Sequence, residues 1–134
     1  MNILAVLALS LFIWPFPSGK TYHMVANSSV PAANGTVHVD RDSPNGNTQL
    51  DIKVSNLALP SGLTPSENVY VVWVRPNGGA AIRRGAMRLD NSLNGELKTV
   101  TTAKNCDVFI TAEQSASVSE PTGMEVLRTH VTFK

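Results

Sequence analysis

The stretch Val69–Arg75 (V-Y-V-V-W-V-R) constrains the fold more than any other part of this chain. It is rich in β-branched and aromatic residues and contains no Gly or Pro, which is the composition of a β-strand. Both of its alternating sets of side chains are apolar, whereas a strand with one wet face alternates apolar with polar residues. The stretch therefore predicts a central strand covered on both sides, with Trp73 as the main anchor of the core.

Length and charge narrow the class of protein. A chain of 134 residues can form one domain with a substantial core, but not two. The net charge of +1 gives no electrostatic basis for binding nucleic acid or an anionic membrane surface. Only 16% of the residues are charged while Ser, Thr and Asn are abundant, a mixture typical of extracytoplasmic β-proteins.

Cys106 is the only cysteine, so the chain cannot form an internal disulfide or a Cys-x-x-Cys metal site. A reactive thiol needs a basic or His neighbour to lower its pKa, and the adjacent sequence supplies none. We interpret Cys106 as a small, partly buried residue at the start of a strand.

An almost unbroken apolar run extends from Ile3 to Trp14, and two prolines follow it closely. It is too short for a comfortable membrane span of about 20 residues. It suits the apolar region of a signal peptide, although it lacks a basic start and an A-x-A cleavage site. Three interpretations of this run remain: a signal peptide, an uncleaved anchor or the tail of a membrane span. Each of them places the domain outside the cytoplasm. The alternative is a buried helix of a cytosolic protein. We expect a short apolar helix in residues 1–19, as signal peptide or membrane anchor, and a domain in residues 20–134.

Short strands separated by turns are predicted along that domain. They are Thr21–Val25, Thr36–Asp40, Gln49–Ser55, Val69–Arg75, Ala80–Leu89, Glu96–Thr102, Asp107–Ala112 and Met124–Phe133. The connection 57–68 is long and contains two prolines, which fits a crossover between two sheets. Roughly eight short strands at regular spacing predict an all-β, two-sheet antiparallel β-sandwich of the immunoglobulin-like kind. The predicted core is Val37, Val39, Leu50, Ile52, Val54, Val71, Trp73, Val108, Ile110, Leu127, Val131 and Phe133.

The Asn45-Gly46 dipeptide predicts a hairpin between the second and third of these strands. A two-residue loop there would pair Val39 with Ile52, which sets apolar side chains against each other. The same register would set Asp40 opposite Asp51, a repulsive pair on the wet face.

The histidines are the first candidates for a metal site. His23, His38 and His130 each fall on the polar side of a predicted strand. Any two could meet on a sheet, but a zinc or copper site needs three or four ligands, and no spacing in this sequence demands one. We interpret them as scattered surface histidines.

The stretch 40–47 (D-R-D-S-P-N-G-N) resembles a calcium loop. Its glycine stands one position too late for an EF-hand, and Asp51 occupies the position that needs a bidentate Glu. Asp40, Asp42 and Asp51 could still converge at the end of the hairpin. The failed spacing favours an ordinary hairpin turn.

No catalytic set emerges from the remaining polar residues. There is no G-x-S-x-G elbow, and Gly78-Gly79 lacks the rest of a phosphate-binding fingerprint. Glu113 and Glu120 lie on one Ser-rich loop, where a pair of carboxylates is usually solvated. Three nearby arginines are interpreted as surface charge: Arg83, Arg84 and Arg88. We assign no catalytic, cofactor-binding or metal-binding residue and no cofactor.

A series of short motifs follows Asn68 in a fixed order. They are Val71-Val-Trp73-Val, Gly78-Gly79, Gly85, Asp107-Val-Phe-Ile-Thr-Ala-Glu113, Glu120-Pro-Thr-Gly123 and Val126-Leu127. In their order and spacing they resemble the extracytoplasmic C-terminal domain of anti-sigma-K factors. The resemblance implies a β-sandwich outside the membrane, tethered by one transmembrane helix to a cytoplasmic sigma-binding domain. The turns at Gly78, Gly79 and Gly123 also have a structural interpretation, because glycine allows positive φ there and Pro121 fixes the turn entry.

Because the sequence opens on the apolar run, we expect only the sensory or interaction domain, and not sigma inhibition, to carry over from this resemblance. We expect a non-catalytic sensory or interaction domain, secreted or anchored, with an unidentified protein partner or ligand. The alternatives are a small metal-dependent extracytoplasmic enzyme and a self-assembling surface structural protein.

Overall fold

The structure is a computed structural model that describes residues 19–42 and 46–132. It contains nine strands in these residues: β1 Lys20–His23, β2 Val25–Ala26, β3 Asn34–Asp42, β4 Asn47–Ser55, β5 Val69–Pro76, β6 Ile82–Met87, β7 Gly95–Thr101, β8 Asn105–Glu113 and β9 Glu125–Thr132. A short 3-10 helix spans Pro60–Gly62. The apolar helix expected in residues 1–19 lies outside the described residues except for Gly19. In the described part of the chain, no helix is long and apolar enough to cross a membrane.

The strands form two antiparallel sheets. The four-stranded sheet has the order β1-β3-β4-β7, and the five-stranded sheet has the order β2-β9-β8-β5-β6. Most predicted core residues are buried between them: Val37, Val39, Leu50, Ile52, Val54, Val108, Ile110, Leu127 and Val131. Phe133 lies outside the described residues. The prediction of an all-β, two-sheet antiparallel sandwich is therefore confirmed.

Strand β5 is buried on both faces, as its two apolar sets predict. Tyr70 and Val72 belong to the main core between the sheets. Val71 and Trp73 lie on the opposite, outer face of the five-stranded sheet, where they pack with Phe109. Trp73 is fully buried, but the prediction that it anchors the main core is wrong. When both sets are apolar, alternation cannot indicate which set faces the second sheet.

The β3–β4 hairpin forms with a register two residues away from the predicted one. Val39 lies opposite Leu50, and the ladder closes at Asp42 and Asn47. The loop is therefore longer than the two-residue turn that Asn-Gly predicts. Because side chains alternate with a period of two, the shift leaves the same residues facing the core.

The shift changes the partners of the charged residues on the outer face of the four-stranded sheet. Asp40 lies opposite Gln49 instead of Asp51. Asp51 lies between His38 on β3 and Lys98 on β7. The predicted repulsion between Asp40 and Asp51 across the hairpin is thus wrong.

The strand predicted at Thr21–Val25 is divided between the two sheets. Strand β1 pairs with β3, and β2 pairs with β9. Met24 between them is buried and donates its N–H to the carbonyl of Gly35, at 2.8 Å. Across the same side of the sandwich, the Tyr22 hydroxyl donates to the carbonyl of Thr132. These contacts connect the two sheets along one side of the sandwich, through β1 and β2.

The connection 57–68 crosses from β4 in one sheet to β5 in the other, as predicted. The hydroxyl of Tyr70 donates to the carbonyl of Ala58 at 2.6 Å and fixes the crossover against the core. Burial raises the pKa of Tyr70 to about 12, so the phenol keeps its proton for this bond.

Candidate interaction surface

The outer face of the five-stranded sheet consists of two halves. Residues 114–123, which we call the strap, connect β8 to β9. The strap residue Val118 packs on a buried cluster of Val71, Trp73 and Phe109, and we call this part the covered half. The remaining part, around Asp107 and Arg128, has no such cover, and we call it the open half.

Arg83 on β6 attaches the middle of the strap. Its Nη1 donates to the carbonyls of Ala116 and Val118, at 3.2 and 3.0 Å. Bonds from a guanidinium to backbone carbonyls are charge-assisted and do not depend on strap side chains. The strap is therefore attached mainly through its backbone.

Glu113, the last residue of β8, holds the far end of the strap. Its side chain is 1% exposed. Its carboxylate accepts bonds from the N–H of Thr122 at 3.1 Å, the hydroxyl of Thr122 at 2.5 Å and the N–H of Gly123 at 3.2 Å. Burial would raise the pKa of Glu113, but these bonds and one from Thr111 outweigh it and lower that pKa. The interpretation of Glu113 as a solvated carboxylate is wrong, whereas Glu120 is exposed.

A buried hydrogen-bond chain links this carboxylate to Trp73. The indole Nε1–H donates to the Thr111 hydroxyl at 2.8 Å, and that hydroxyl donates to Glu113 Oε2 at 2.6 Å. Each buried polar group in the chain is thus paired, which is required in a site that excludes water. Trp73 and the strap are parts of one network.

Gly123 is required by close packing rather than by positive φ. A Cβ at this position would clash with the backbone carbonyl of Ala112. Glycine allows positive φ at positions 78, 79 and 123, but of these only Gly78 adopts it, at 78°. The N–H of Gly123 can reach Glu113 only because the strap approaches β8 so closely.

The open half is centred on Asp107 at the start of β8. Its Oδ1 lies 2.7 Å from Nδ1 of His130, and its Oδ2 lies 3.0 Å from Nη1 of Arg128. The hydrogen bond with His130 has the largest effect and lowers the pKa of Asp107. Burial opposes it, and the charge of Arg128 adds to the lowering. The carboxylate is thus ionised at neutral pH and both of its oxygens are engaged.

Arg128 is held in place from three sides. It forms a two-point contact with Glu125, at 2.7 Å for each nitrogen. Its guanidinium lies 4.6 Å from the centroid of the Phe109 ring, and that of Arg75 lies 5.0 Å from the same ring. Ion pairs and cation–π contacts fix the side chain while leaving it 35% exposed. The open half presents a preorganised charged surface on a rigid sheet.

The His130–Asp107 pair resembles the orienting half of a catalytic triad but lacks a nucleophile. In the described residues, no hydroxyl or thiol is hydrogen-bonded to His130. The adjacent Cys106 points into the main core, where it is wholly rather than partly buried. Burial and then the charge of Asp107 raise the pKa of its thiol to about 11, so it is not a nucleophile at neutral pH.

The other sequence candidates lie apart. His23 and His38 are on the four-stranded sheet, and His130 is on the five-stranded one. His38 interacts with Thr21 at 2.9 Å and Asp40 at 3.4 Å. Across residues 19–42 and 46–132, no group of three His, Cys, Asp or Glu side chains is placed to hold a metal ion. The side chain of Asp42 and the loop 43–45, which belong to the possible calcium loop, lie outside the described residues.

The three arginines 83, 84 and 88 serve separate sites. Besides Arg83, which binds the strap, Arg84 donates from Nε to the Thr99 hydroxyl of β7 at 3.0 Å. Arg88 lines a groove of about 670 Å³ together with Lys53 and Glu96. Because this groove mixes charges of both signs, it does not form an anion site.

The motifs that resemble those of anti-sigma-K factors all lie in or beside the five-stranded sheet, on β5, β6, β8, β9, the turn after β5 and the strap. A scan against models of known protein families finds no match for the chain, and a search of curated proteins finds none. The function therefore has to be argued from the surface itself.

Sequence reasoning missed both networks on this face. His130 is predicted on the polar side of its strand, but nothing in the sequence indicates that Asp107 lies opposite it. For Glu113, the available signal was the Thr-x-Glu spacing, which places both side chains on one face of a strand.

Proposed function

We propose that this chain is a non-catalytic, extracytoplasmic β-sandwich domain with a sensory or interaction role, comparable to the C-terminal domain of anti-sigma-K factors. It acts through the outer face of its five-stranded sheet on a protein partner or ligand. The observation that carries the proposal is that three of the motifs that resemble those of anti-sigma-K factors meet in one hydrogen-bond network. Trp73 of the first motif, Thr111 and Glu113 of the fourth, and Gly123 of the fifth are joined by direct hydrogen bonds.

The open half supports an interaction role. Interfaces are enriched in Arg and aromatic residues, and Arg128 stacked over Phe109 combines the two. The same contacts support a non-catalytic role, because Asp107, Glu113 and Glu125 already use their oxygens to hold structure. Metal analysis of the purified chain tests this point. A stoichiometric metal whose removal by chelator lowers the melting temperature would favour a metal-dependent enzyme.

The proposal includes an immunoglobulin-like arrangement as the finer description of the sandwich, since the chain crosses repeatedly between two antiparallel sheets. It also includes secretion or membrane anchoring through residues 1–19. Expression of residues 20–134 in the cytoplasm tests this placement. We expect a soluble, folded domain, and an insoluble product from a chain whose full length is soluble without detergent would contradict it.

Site-specific crosslinking tests the interaction surface. A photo-crosslinking amino acid replaces Thr132, an exposed residue at the end of β9, in full-length chain produced in its native cells. The control position is Gln49, which is exposed on the four-stranded sheet. We expect an adduct of defined mass from position 132 that is lost in the Arg128→Gln variant, and none from position 49. The proposal would be contradicted by adducts from position 49 alone, or by adducts from position 132 that form equally well in the Arg128→Gln variant.

One observation favours self-assembly as a second candidate. Val25, Ile82 and Val100 are 74%, 46% and 42% exposed, and they lie on β2, β6 and β7, each at the edge of a sheet. Exposed β-branched residues on edge strands favour pairing with another chain. Analytical ultracentrifugation distinguishes the two candidates. Concentration-dependent oligomers that Val100→Lys dissociates would favour assembly, whereas a monomer at all concentrations would favour the interaction domain.

A further inference from the structure

We propose that the strap is an acid-released cover, with the ionised carboxylate of Glu113 as its latch and the buried side chains of Val71 and Trp73 as the surface it uncovers. The strap closes over these side chains while Glu113 is charged. When the carboxylate takes up a proton, the strap opens and the rest of the sandwich stays folded.

The contacts of the latch favour a charged carboxylate. Glu113 accepts four hydrogen bonds, three from Thr122 and Gly123 of the strap and one from Thr111. The two backbone N–H groups among these partners can only donate, and a charged carboxylate accepts their bonds more strongly than a neutral carboxyl does. In the described residues, no Lys, Arg or His contacts this carboxylate, so the bonds themselves stabilise its charge.

The strap has few other attachments. Its apolar contact with the covered half is made by Val118, and Arg83 adds two bonds to backbone carbonyls. Its start is tied by Gln114, which bonds to the side chain of Asn68 and to Glu67. Its end is followed by a bond from the N–H of Ala112 to the carbonyl of Met124, at 2.8 Å. The segment between these ties can move without breaking a strand ladder, as expected of a locally unfolding unit.

The cluster beneath the strap is suited to being uncovered. Trp73, Val71 and Phe109 belong to a separate buried cluster from the main core, on the other side of the sheet. Their strands remain paired with one another through the β5–β8 ladder whether or not the strap is present. Opening would therefore expose an apolar aromatic patch on an intact sheet, the kind of surface that forms the centre of protein interfaces.

The charged groups on neighbouring elements make Glu113 the decisive titrating group. Glu67 bonds to Gln114, Glu125 is paired with Arg128, and Glu120 on the strap is exposed. Arg83 keeps its charge in acid, so its two bonds persist. Because the pKa of Glu113 is lowered in the folded state, its stabilisation is complete above about pH 4.5 and is lost as pH falls through the folded pKa. We expect opening below about pH 4.5.

The latch stands on geometry alone, and only its use as a sensory input depends on the proposed function. The two can fail separately, because the latch is tested without a partner. If the strap opens in acid but the chain binds no partner, the latch holds and the proposed function fails. If the chain binds a partner but the strap does not open in acid, the proposed function holds and the latch fails.

Acrylamide quenching of tryptophan fluorescence tests the latch in the full-length chain. The chain has two tryptophans, and Trp14→Phe makes Trp73 the only one. We expect quenching of Trp73 to rise several-fold between neutral pH and about pH 3, while far-ultraviolet circular dichroism stays constant. The Glu113→Gln variant should show high quenching already at neutral pH and no transition in acid. Glu120→Gln, a matched change of an exposed carboxylate on the same strap, should behave like the parent.

Two results would overturn the latch. The first is quenching that rises only together with loss of the circular dichroism signal, which would mean that the strap and the sandwich unfold as one unit. The second is an unchanged acid transition in Glu113→Gln. If that variant fails to fold, the titration of the Trp14→Phe chain alone decides between local and global opening.

Discussion

The two faces of β5 are both buried, but they are buried by different means. Its inner face, with Tyr70 and Val72, packs against a complete second sheet of aliphatic side chains. Its outer face, with Val71 and Trp73, is covered by the strap, which is held by Glu113 and Arg83. The inner layer is stabilised by extensive apolar burial, whereas the outer layer depends on a small number of polar contacts.

This difference indicates which part of the molecule can change its structure while the domain stays folded. Separating the sheets would expose the whole main core and unfold the chain. Moving the strap exposes one cluster and breaks a few bonds. Function that requires movement is therefore expected at the covered half of the outer face, and function that requires rigidity at the neighbouring open half.

The largest expected effect is that of Trp73→Ala. It removes a fully buried indole and leaves the Thr111 hydroxyl without its donor. We expect a loss of about 3–5 kcal/mol in the free energy of unfolding. Urea denaturation followed by circular dichroism measures it. A loss below about 1 kcal/mol would mean that the covered half contributes little to stability.

Ile52→Ala tests the inner face. Ile52 is fully buried in the main core, away from the strap. We expect a loss of about 2–4 kcal/mol in the same denaturation measurement. Acrylamide quenching of Trp73 at neutral pH should not change in this variant. Increased quenching would show that the two layers are coupled more closely than the contacts indicate.

Gly123→Ala tests the close approach of the strap to β8. The added methyl group would clash with the carbonyl of Ala112 and displace the N–H that bonds to Glu113. We expect a loss of about 2 kcal/mol, with the acid opening of the strap shifted to higher pH. Stability and opening unchanged from the parent would contradict the assigned geometry.

The smallest effect is expected from Asp107→Asn in the open half. This carboxylate is partly exposed, and its pairs with His130 and Arg128 are screened by solvent. We expect a loss on the order of 1 kcal/mol at neutral pH. Because the folded pKa of Asp107 is lowered, its stabilisation is present above about pH 4 and disappears as pH falls. The difference in melting temperature between variant and parent should therefore shrink as pH falls below about 4.

The sequence predicted much of the fold, because apolar alternation with a period of two is a local property. It located β5, the β3–β4 hairpin and the inward residues of β9. It failed where the answer depends on distant parts of the chain. The position of the second sheet determines on which side of its own sheet Trp73 lies. The predicted first strand is divided at Met24 because β1 pairs with β3 in one sheet and β2 pairs with β9 in the other.

The two networks on the outer face were beyond prediction for the same reason. Glu113 is buried only because the strap returns to it, and Asp107 meets His130 only through the β8–β9 register. Local sequence cannot indicate such a register. Polar residues were therefore interpreted as solvated when the fold in fact pairs them.

Native-state hydrogen exchange of the full-length chain tests the central claim most directly, since it measures the opening of each amide separately. The amides to compare are those of Thr122 and Gly123 in the strap and that of Val72 in β5, a strand paired with β6 and β8. We expect the strap amides to exchange through a local opening of lower free energy, which falls further in Glu113→Gln while Val72 keeps its protection. Equal opening free energies at all three amides, or equal losses in the variant, would contradict the account.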